Sequence, residues 1–307
     1  MPIDTNSPAP RRPDFFIVGA PKSGTTALYD YLRQHPQVFM ADPKEPNYFG
    51  ADLERRRTPR ISLEEYLGYF AGAGDAKRVG EASVRYLHSR SAAGEIAEFA
   101  PEGQAIIMLR DPVEMMHAMH GELVYIGAED IADFGEALAA EEDRRAGRRI
   151  PPGANKPAAL LYRDSAHFAE QVQRYFDALG RDRVLVLVYD DFRDDTLGQY
   201  RRVLRFLGVD EDFVPQMAIV NPSKQPRSQL LTRFIASPPG WLRRVAGAVL
   251  PARQRKRLFR RALALNSRTA PRAPMDPALR ARLKADFAPE VQRLGELIGR
   301  DLTAWSV

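Results

Sequence analysis

The chain has 307 residues and a formal net charge of +5, with 44% hydrophobic and 28% charged residues, as in ordinary globular proteins. It contains no cysteine, which excludes disulfides, thiolate metal sites and cysteine nucleophiles. The polar, proline-rich start has no signal-peptide core, and no apolar run reaches the roughly 18 residues of a membrane span, so we expect a cytoplasmic protein.

The first predicted element is a buried strand, "DFFIVGA" at 14–20, which ends at a glycine. Leu28 and Leu32 then follow at helical spacing, so a strand, a loop and a helix come in that order. Further along, the pattern predicts an amphipathic helix at 61–72 and a short strand at 78–83 that enters a turn.

The middle of the chain continues this alternation of strands and helices. Strands are predicted at 104–112 and 183–192, and helices from Pro112 onward and at 134–147, 165–180 and 197–208. Near the end, Asp276 and Pro277 have the pattern of a helix N-cap and first turn. The alternation predicts an α/β fold: a P-loop-like central parallel sheet flanked by helices, with a helical C-terminal extension.

Three regions are expected from these patterns. They are a flexible N-terminus at 1–13, an α/β domain at 14–228, and a helical, basic C-terminal extension at 229–307 that packs on the same domain. The extension is basic because the chain between Leu230 and Pro274 has eleven Arg or Lys and no Asp or Glu.

Within the extension, 241–265 mixes arginines with apolar residues such as Trp241 and Phe259. One interpretation is an interfacial helix attracted to anionic lipid, which would place the protein peripherally at the inner face of a membrane. A second is a face for an acidic glycan or nucleic acid, although we expect no nucleic-acid partner. The third is a pair of helices that pack their apolar residues on the core and leave the arginines in solvent.

The loop after the first strand is close to the phosphate-binding pattern G-x-x-x-x-G-K-[ST], but Thr25 stands where the lysine would be. Lys22 lies inside the loop instead, between Gly19 and Gly24. Backbone N–H groups and a helix N-terminus still form a cradle for one phosphate. The pattern suits a single 5′-phosphate that bears a transferable group better than a triphosphate with magnesium; the alternative is a tight turn without a ligand.

Several segments in order resemble the sulfotransferases that use 3′-phosphoadenosine 5′-phosphosulfate (PAPS), and the bacterial and Golgi-like carbohydrate branch in particular. They are "PKSGTT" and the segments 33–49, 80–87, 109–120, 185–192 and 221–228. The resemblance implies transfer of a sulfuryl group from PAPS to an acceptor hydroxyl of a carbohydrate, glycolipid or natural product. The nucleotide product would be 3′-phosphoadenosine 5′-phosphate (PAP), and no metal is expected.

The resemblance also implies which residues bind the donor. Those expected at the 5′-phosphate and sulfate are Lys22, Ser23, Gly24, Thr25 and Thr26. Arg110 would bind the 3′-phosphate, and Lys224 and Arg227 would neutralise the same phosphate from a late loop. Tyr189 is expected either to touch the adenine or to pack at the end of its strand.

The family's serine eight residues after that arginine is Ala118 here, which leaves one 3′-phosphate hydrogen bond without its usual donor. His117 and His120, on the same predicted helix, are candidates for that contact or for a contact with the acceptor. They are also the alternative candidates for the general base, because a histidine needs little tuning near neutral pH.

For the chemistry, Lys22 would stabilise the departing phosphate oxygen, and the resemblance points to Glu45 as the general base. Lys44 and Asn47 are expected to contact the acceptor. Glu81 and Ser83 either line the same cleft or form a structural turn. Two other readings remain: a P-loop kinase or ATPase, against which Thr25 argues, and a non-catalytic relative that binds nucleotide or membrane.

Overall fold

The computed structural model describes residues 11–53, 59–217, 224–236, 238, 252–269 and 273–307. At its centre lies a sheet of five parallel strands in the order β2-β3-β1-β4-β5. These strands are β1 (Phe15–Gly19), β2 (Val38–Met40), β3 (Arg78–Ala82), β4 (Gln104–Leu109) and β5 (Val184–Val188). The predicted α/β sheet is confirmed.

Helices cover both faces of this sheet, which explains why its strands read as continuous apolar runs. Every residue of β1 is buried. On one face the core includes Leu28 and Leu204, and on the other it includes Ile96 and Val172. The helices up to the end of the sheet are α1 (Thr25–Leu32), α2 (Leu63–Gly68), α3 (Ala92–Phe99), α4 (Pro112–Tyr125), α5 (Phe134–Ala139), α6 (Glu141–Arg145), α7 (Tyr162–Ser165), α8 (Phe168–Leu179), α9 (Tyr189–Asp194) and α10 (Thr196–Leu207).

The elements differ from the sequence-based expectation in several places. The strand predicted at 183–192 ends at Val188, because Tyr189–Asp194 forms α9, whose first turn carries Asp190 and Asp191 and so favours a helix start. The helix predicted at 134–147 is two helices that meet at Ala140. Strand β2 was not predicted, since three residues are too few to show a period.

The C-terminal part contributes α11 (Gln229–Ala236), α12 (Ala252–Leu265), α13 (Pro277–Ile298) and a small antiparallel sheet of β6 (Lys224–Pro226) and β7 (Ser267–Thr269). Strand β6 lies beside α4. This pair of strands was not predicted either.

Helix α13 closes the core. It begins as predicted, with the Asp276 side chain accepting a hydrogen bond from the Leu279 N–H at 2.8 Å. Leu283 and Phe287 join the core, and Glu290 accepts a hydrogen bond from the backbone N–H of residue 169 at 2.7 Å. The described end of the chain therefore packs on the α/β unit, while a boundary at residue 229 stays a prediction. Among the residues described, no helix combines the length and the apolar character of a membrane span.

Candidate active site

The phosphate loop, residues 19–26, joins β1 to α1 at the carboxyl edge of the sheet. Gly24 is the N-cap of α1 with φ of 89°, and no side chain caps this helix. Lys22 is also left-handed, with φ of 60°, and Ser23 and Thr25 are buried. Because the first turn of a helix leaves its N–H groups without intrahelical partners, the loop offers these donors to an anion.

Gly24 is tightly enclosed. A Cβ on this residue would stand 3.2 Å from Met108 Cε at the end of β4 and 3.2 Å from Tyr189 Cδ2 at the start of α9. The close approach and the positive φ both require glycine here. The loop is therefore held against the ends of two neighbouring elements.

Arg110 follows β4 directly and lies against the same loop. Its guanidinium is 4.9 Å from the centre of the Tyr189 ring, and its Nη1 donates to the Lys22 carbonyl at 3.3 Å. Lys22 Nζ lies 3.5 Å from Glu122 Oε2 on α4. The structure thus brings Lys22, Gly24, Arg110 and Tyr189 together. The contact between the Arg110 guanidinium and the Tyr189 ring favours a packing role for Tyr189. An adenine contact for Tyr189 stays a prediction.

The start of α4 is fixed by a cap and by cations from α13. The Asp111 carboxylate accepts from the N–H groups of Val113 at 2.8 Å and Glu114 at 3.2 Å. Lys284 Nζ lies 3.6 Å from Asp111, and Arg280 Nη1 lies 2.5 Å from Glu114. These contacts hold the segment that carries Arg110 at the sheet edge.

Glu45 and Asn47 lie on a loop attached to the carboxyl end of β3. The Glu45 N–H donates to the Ala82 carbonyl at 2.9 Å, and the Asn47 N–H donates to Ser83 Oγ at 3.0 Å. Both residues are left-handed, with φ of 62° and 52°, a strained conformation for side chains other than glycine. Strain of this kind is found most often at functional sites, so it marks this loop as a candidate acceptor site.

The side chains of this loop carry charge of both signs. The Glu45 side chain is 38% exposed, and Lys44 Nζ lies 3.3 Å from its Oε1. Lys156 Nζ donates to Asn47 Oδ1 at 2.9 Å. A half-exposed carboxylate beside a bound hydroxyl group can accept the proton of that group.

Glu81 lies beneath this loop and is fully buried. It accepts hydrogen bonds from Ser83 Oγ at 2.6 Å, Tyr66 OH at 2.8 Å and Tyr86 OH at 2.9 Å. Burial raises the pKa of Glu81 to about 7, against the three donors that favour its ionised form. Tyr86 OH in turn accepts from the Tyr48 N–H at 2.8 Å. These contacts favour a supporting role for Glu81 and Ser83 under the loop of Glu45.

The two histidines of α4 lie largely in the core. His120 is 4% exposed, its Nε2 is 2.9 Å from the Ile131 carbonyl oxygen, and burial lowers its pKa. His117 packs on Phe134, with ring centres 5.2 Å apart. Ala118, on the same helix, is also buried. These contacts favour packing for both histidines, and roles in acceptor binding, phosphate binding or proton transfer stay predictions.

The predicted late loop falls partly outside the described residues. Residues 218–223 are not described, and of Lys224 only the backbone, in β6, is described. Arg227 is exposed, and its Nε donates to the Ser267 carbonyl at 3.1 Å. Of the basic segment 241–265, residues 241–251 lie outside the described part.

Three residues near the site were missed by sequence reasoning: Glu122, Lys156 and Arg85. Glu122 and Lys156 reach the site from a helix and a loop far along the chain, and no motif includes them. Arg85 stands in the "GEASVRYL" segment, where the available signal was a charged residue between the apolar Val84 and Tyr86. In the described chain, no group of three or more His, Asp or Glu side chains could hold a metal ion.

Comparison with known proteins places these features in a family. A model described as "Sulfotransferase family" matches residues 13–69, the stretch with the phosphate loop and Glu45. Carbohydrate sulfotransferase 15 of Mus musculus is 33% identical over 147 residues, which cover 34% of this chain and 26% of that protein. Bifunctional heparan sulfate N-deacetylase/N-sulfotransferase 3 of Homo sapiens is 27% identical over 65% of this chain and 22% of its own length. The chain thus spans about a quarter of the length of these curated relatives.

Solved structures match over almost the whole chain. A sulfotransferase from Alicyclobacillus acidocaldarius is 30% identical, with a TM-score of 0.74, over 97% of this chain and 100% of that one. A mouse sulfotransferase complexed with PAP has the same fold, with a TM-score of 0.50 and 13% identity over 97% of this chain and 90% of that one.

Proposed function

The chain belongs to the sulfotransferase family, and on this premise we propose that it transfers a sulfuryl group from PAPS to a hydroxyl group of a carbohydrate acceptor. The observation that carries the proposal is the contact between two binding elements. The phosphate loop and Arg110 meet through the Lys22 carbonyl, and Tyr189 borders both. One nucleotide with phosphates at both ends of its ribose would engage both elements.

The residues on the donor side fit such a nucleotide. The uncapped first turn of α1 and the enclosed Gly24 suit a 5′-phosphate that lies against the backbone. Lys22 adds a positive charge, and Arg110 can bind a second phosphate through two N–H groups. Thr25 replaces the lysine on which a nucleoside triphosphatase depends, which argues against the kinase or ATPase alternative.

When bound, PAPS supplies the sulfuryl group, whose bond to the 5′-phosphate oxygen breaks as a bond to the acceptor oxygen forms. In this scheme Glu45 accepts the proton of the acceptor hydroxyl, and Lys22 balances the negative charge that develops on the phosphate oxygen. Lys44 and Asn47 orient the acceptor beside Glu45. Most of the remaining catalysis is positioning, as in phosphoryl transfer.

A transfer assay tests this function. Purified protein is incubated with PAPS labelled with ³⁵S and with pools of oligosaccharides, glycolipids and small hydroxyl compounds, and labelled products are identified by mass. The proposal expects a labelled carbohydrate product and release of PAP without added metal. Transfer from labelled ATP in place of PAPS would support the kinase alternative, and binding of PAP without any transfer would support a non-catalytic relative.

We also propose that the protein is cytoplasmic and contacts the surface of a membrane through its basic C-terminal segment. Supporting features are several exposed apolar side chains on α11 and α12, namely Leu231, Phe234, Leu258, Phe259 and Leu265. They accompany a sequence rich in arginine, a combination that favours anionic lipid.

Co-sedimentation tests the membrane contact. Vesicles with about 30% anionic phosphatidylglycerol should retain the protein, because basic segments bind anionic lipid. Vesicles of phosphatidylcholine alone should not retain it. Phe234→Ser with Leu258→Ser should weaken retention about tenfold. Equal retention by both vesicle types would contradict the proposal.

A further inference from the structure

Arg85 is a buried arginine whose guanidinium is largely unpaired in the described part of the chain. It lies in the turn that follows β3 and is 8% exposed. Its Nε and Nη2 atoms are sealed from solvent and have no hydrogen-bond partner in the described part of the chain. Because burial of an unpaired guanidinium is costly, Arg85 is a candidate for pairing with an anion.

A second deeply buried arginine, Arg144, also has an unpartnered Nε among the described residues, but its Nη2 forms a structural ion pair. Arg144 Nη2 lies 2.6 Å from Glu129 Oε1, with side-chain exposures of 1% and 0%. Among the described residues, no carboxylate forms such an ion pair with Arg85. Burial lowers the pKa of Arg85 to about 10, and the charge of Glu45 is what opposes this shift. Arg85 therefore lies within the electrostatic reach of the proposed base.

Two side chains near Arg85 each have one buried nitrogen that is unpartnered in the described part of the chain. His88 Nδ1 and Arg174 Nε are also buried without a hydrogen-bond partner among the described residues. Burial and the charge of Arg85 lower the pKa of His88 to about 4, so His88 is neutral and adds no counter-charge. Arg174, on α8, donates from Nη2 to the His88 carbonyl at 3.4 Å and pairs through Nη1 with Glu170 at 2.7 Å. Arg174 therefore has its own carboxylate partner, and the buried Nε and Nη2 of Arg85 are the donors near this turn that an anion could pair with.

The turn of Arg85 also contacts both halves of the proposed active site. The Val84 carbonyl oxygen is 3.0 Å from where a Cβ on Gly19 would stand, at the start of the phosphate loop. The Asn47 N–H donates to Ser83 Oγ, on the segment that carries Glu45. An anion at Arg85 would therefore lie next to the site of transfer.

We propose that Arg85 binds an anionic group of the acceptor, a carboxylate or a sulfate ester. The inference rests on the proposed function and narrows it to acidic acceptors. A planar guanidinium pairs with such groups through two N–H donors. Lys44 and Lys156 add positive charge on the neighbouring loop and offset the repulsion that Glu45 would exert on the acceptor.

Sugar titrations test this proposal. D-glucuronate, glucose 6-sulfate and glucose are titrated into protein saturated with PAP and, separately, into protein without PAP. The wild type should bind at least one acidic sugar about tenfold more tightly than glucose, and Arg85→Gln should lose that preference. Arg90→Gln, which removes an exposed arginine from the same segment, should behave as wild type. Comparison of glucuronate with glucose 6-sulfate identifies the preferred anion.

Equal binding of acidic and neutral sugars by the wild type, or an equal loss of preference in Arg85→Gln and Arg90→Gln, would overturn the proposal. Binding of PAP separates this failure from failure of the proposed function. If PAP binds and the acidic preference is absent, only the inference fails; if PAP does not bind, the proposed function fails, and the titration without PAP still reports on Arg85.

A stability measurement separates ligand binding from a structural role. Arg85→Met removes an unpaired buried charge, so the free protein should melt at a higher temperature than the wild type. A fall of several degrees would mean that Arg85 stabilises the fold, and would contradict a role in binding.

Discussion

At the scale of single residues, we assign two roles in sulfuryl transfer. Lys22 balances the negative charge on the departing phosphate oxygen, and Glu45 accepts the proton of the acceptor hydroxyl. Lys22 lies on the loop that follows β1, and Glu45 lies on the loop that follows β2 and is hydrogen-bonded to the end of β3, the strand between them. Each residue is held in a left-handed conformation. Lys22 has a carboxylate neighbour in Glu122, and Glu45 has an ammonium neighbour in Lys44. Both side chains are partly exposed, so neither is committed to a buried structural pair.

Glu45→Gln should lower kcat for sulfate transfer by about 10²- to 10⁴-fold, because the amide cannot accept the hydroxyl proton. Binding of PAP should change little, since Glu45 is assigned to the acceptor side. The measurement is initial rate with labelled PAPS, together with calorimetry for PAP. Glu102→Gln, an exposed acid at the opposite edge of the sheet, is the matched control. Full activity in Glu45→Gln would show that Glu45 is not the general base and would favour His117 or His120 instead.

At the scale of elements, the phosphate loop depends on close packing between α1, β4 and α9. The loop residues that enter this packing could be identified from the sequence, because glycine, lysine and threonine in the loop have a recognisable spacing. Lys22 could also be identified from the sequence, but its ion pair with Glu122 on α4 could not. Contacts between elements about a hundred residues apart follow from sheet order, which local periodicity does not encode.

Gly24→Ala should destabilise the protein by about 1–3 kcal/mol, because it combines a left-handed backbone with a Cβ 3.2 Å from Met108 and Tyr189. PAP binding should weaken about tenfold or more as the loop shifts. Urea unfolding and calorimetry measure the two effects.

Gly147→Ala is the matched control for this substitution. Gly147 has a similar φ of 77°, but no atom lies within 4 Å of its added Cβ. It should cost about 1 kcal/mol from the backbone alone and leave PAP binding unchanged. If the two alanine variants were equally stable and bound PAP equally well, the packing around Gly24 would not shape the site.

At the scale of the whole molecule, the strand and helix alternation predicted the central sheet, and the motif order predicted the family. What the sequence could not provide was tertiary detail. Helix α9 was hidden at the end of a strand, and the pairing of β6 with β7 joins short segments about forty residues apart. The histidines of α4 are chemically suitable as general bases, but both are buried. His117 packs on Phe134, and His120 lies within hydrogen-bond distance of the Ile131 carbonyl.

Glu81 gives the fold a dependence on pH. Its folded pKa of about 7 lies above the ordinary value of 4.5, so the folded state holds its proton more tightly than the unfolded state. The stability from Glu81 is therefore present below about pH 4.5 and is lost as the pH rises toward and through 7.

Between pH 5 and 7 the wild type should lose up to about 2 kcal/mol of unfolding free energy relative to Glu81→Gln, which does not titrate. Urea unfolding of both proteins at several pH values measures this difference. Parallel stability profiles for the wild type and Glu81→Gln would show that Glu81 is ionised in the fold at all these pH values.

The central claim is that one site grips a nucleotide at its 5′ and 3′ phosphates without a metal. Calorimetric titration with PAP in the presence of a chelator tests it most directly. We predict a dissociation constant below about 10 µM for PAP, with AMP bound at least about tenfold more weakly because it lacks the phosphate for Arg110. No binding of PAP at millimolar concentration, or tighter binding of ATP with magnesium, would contradict the account.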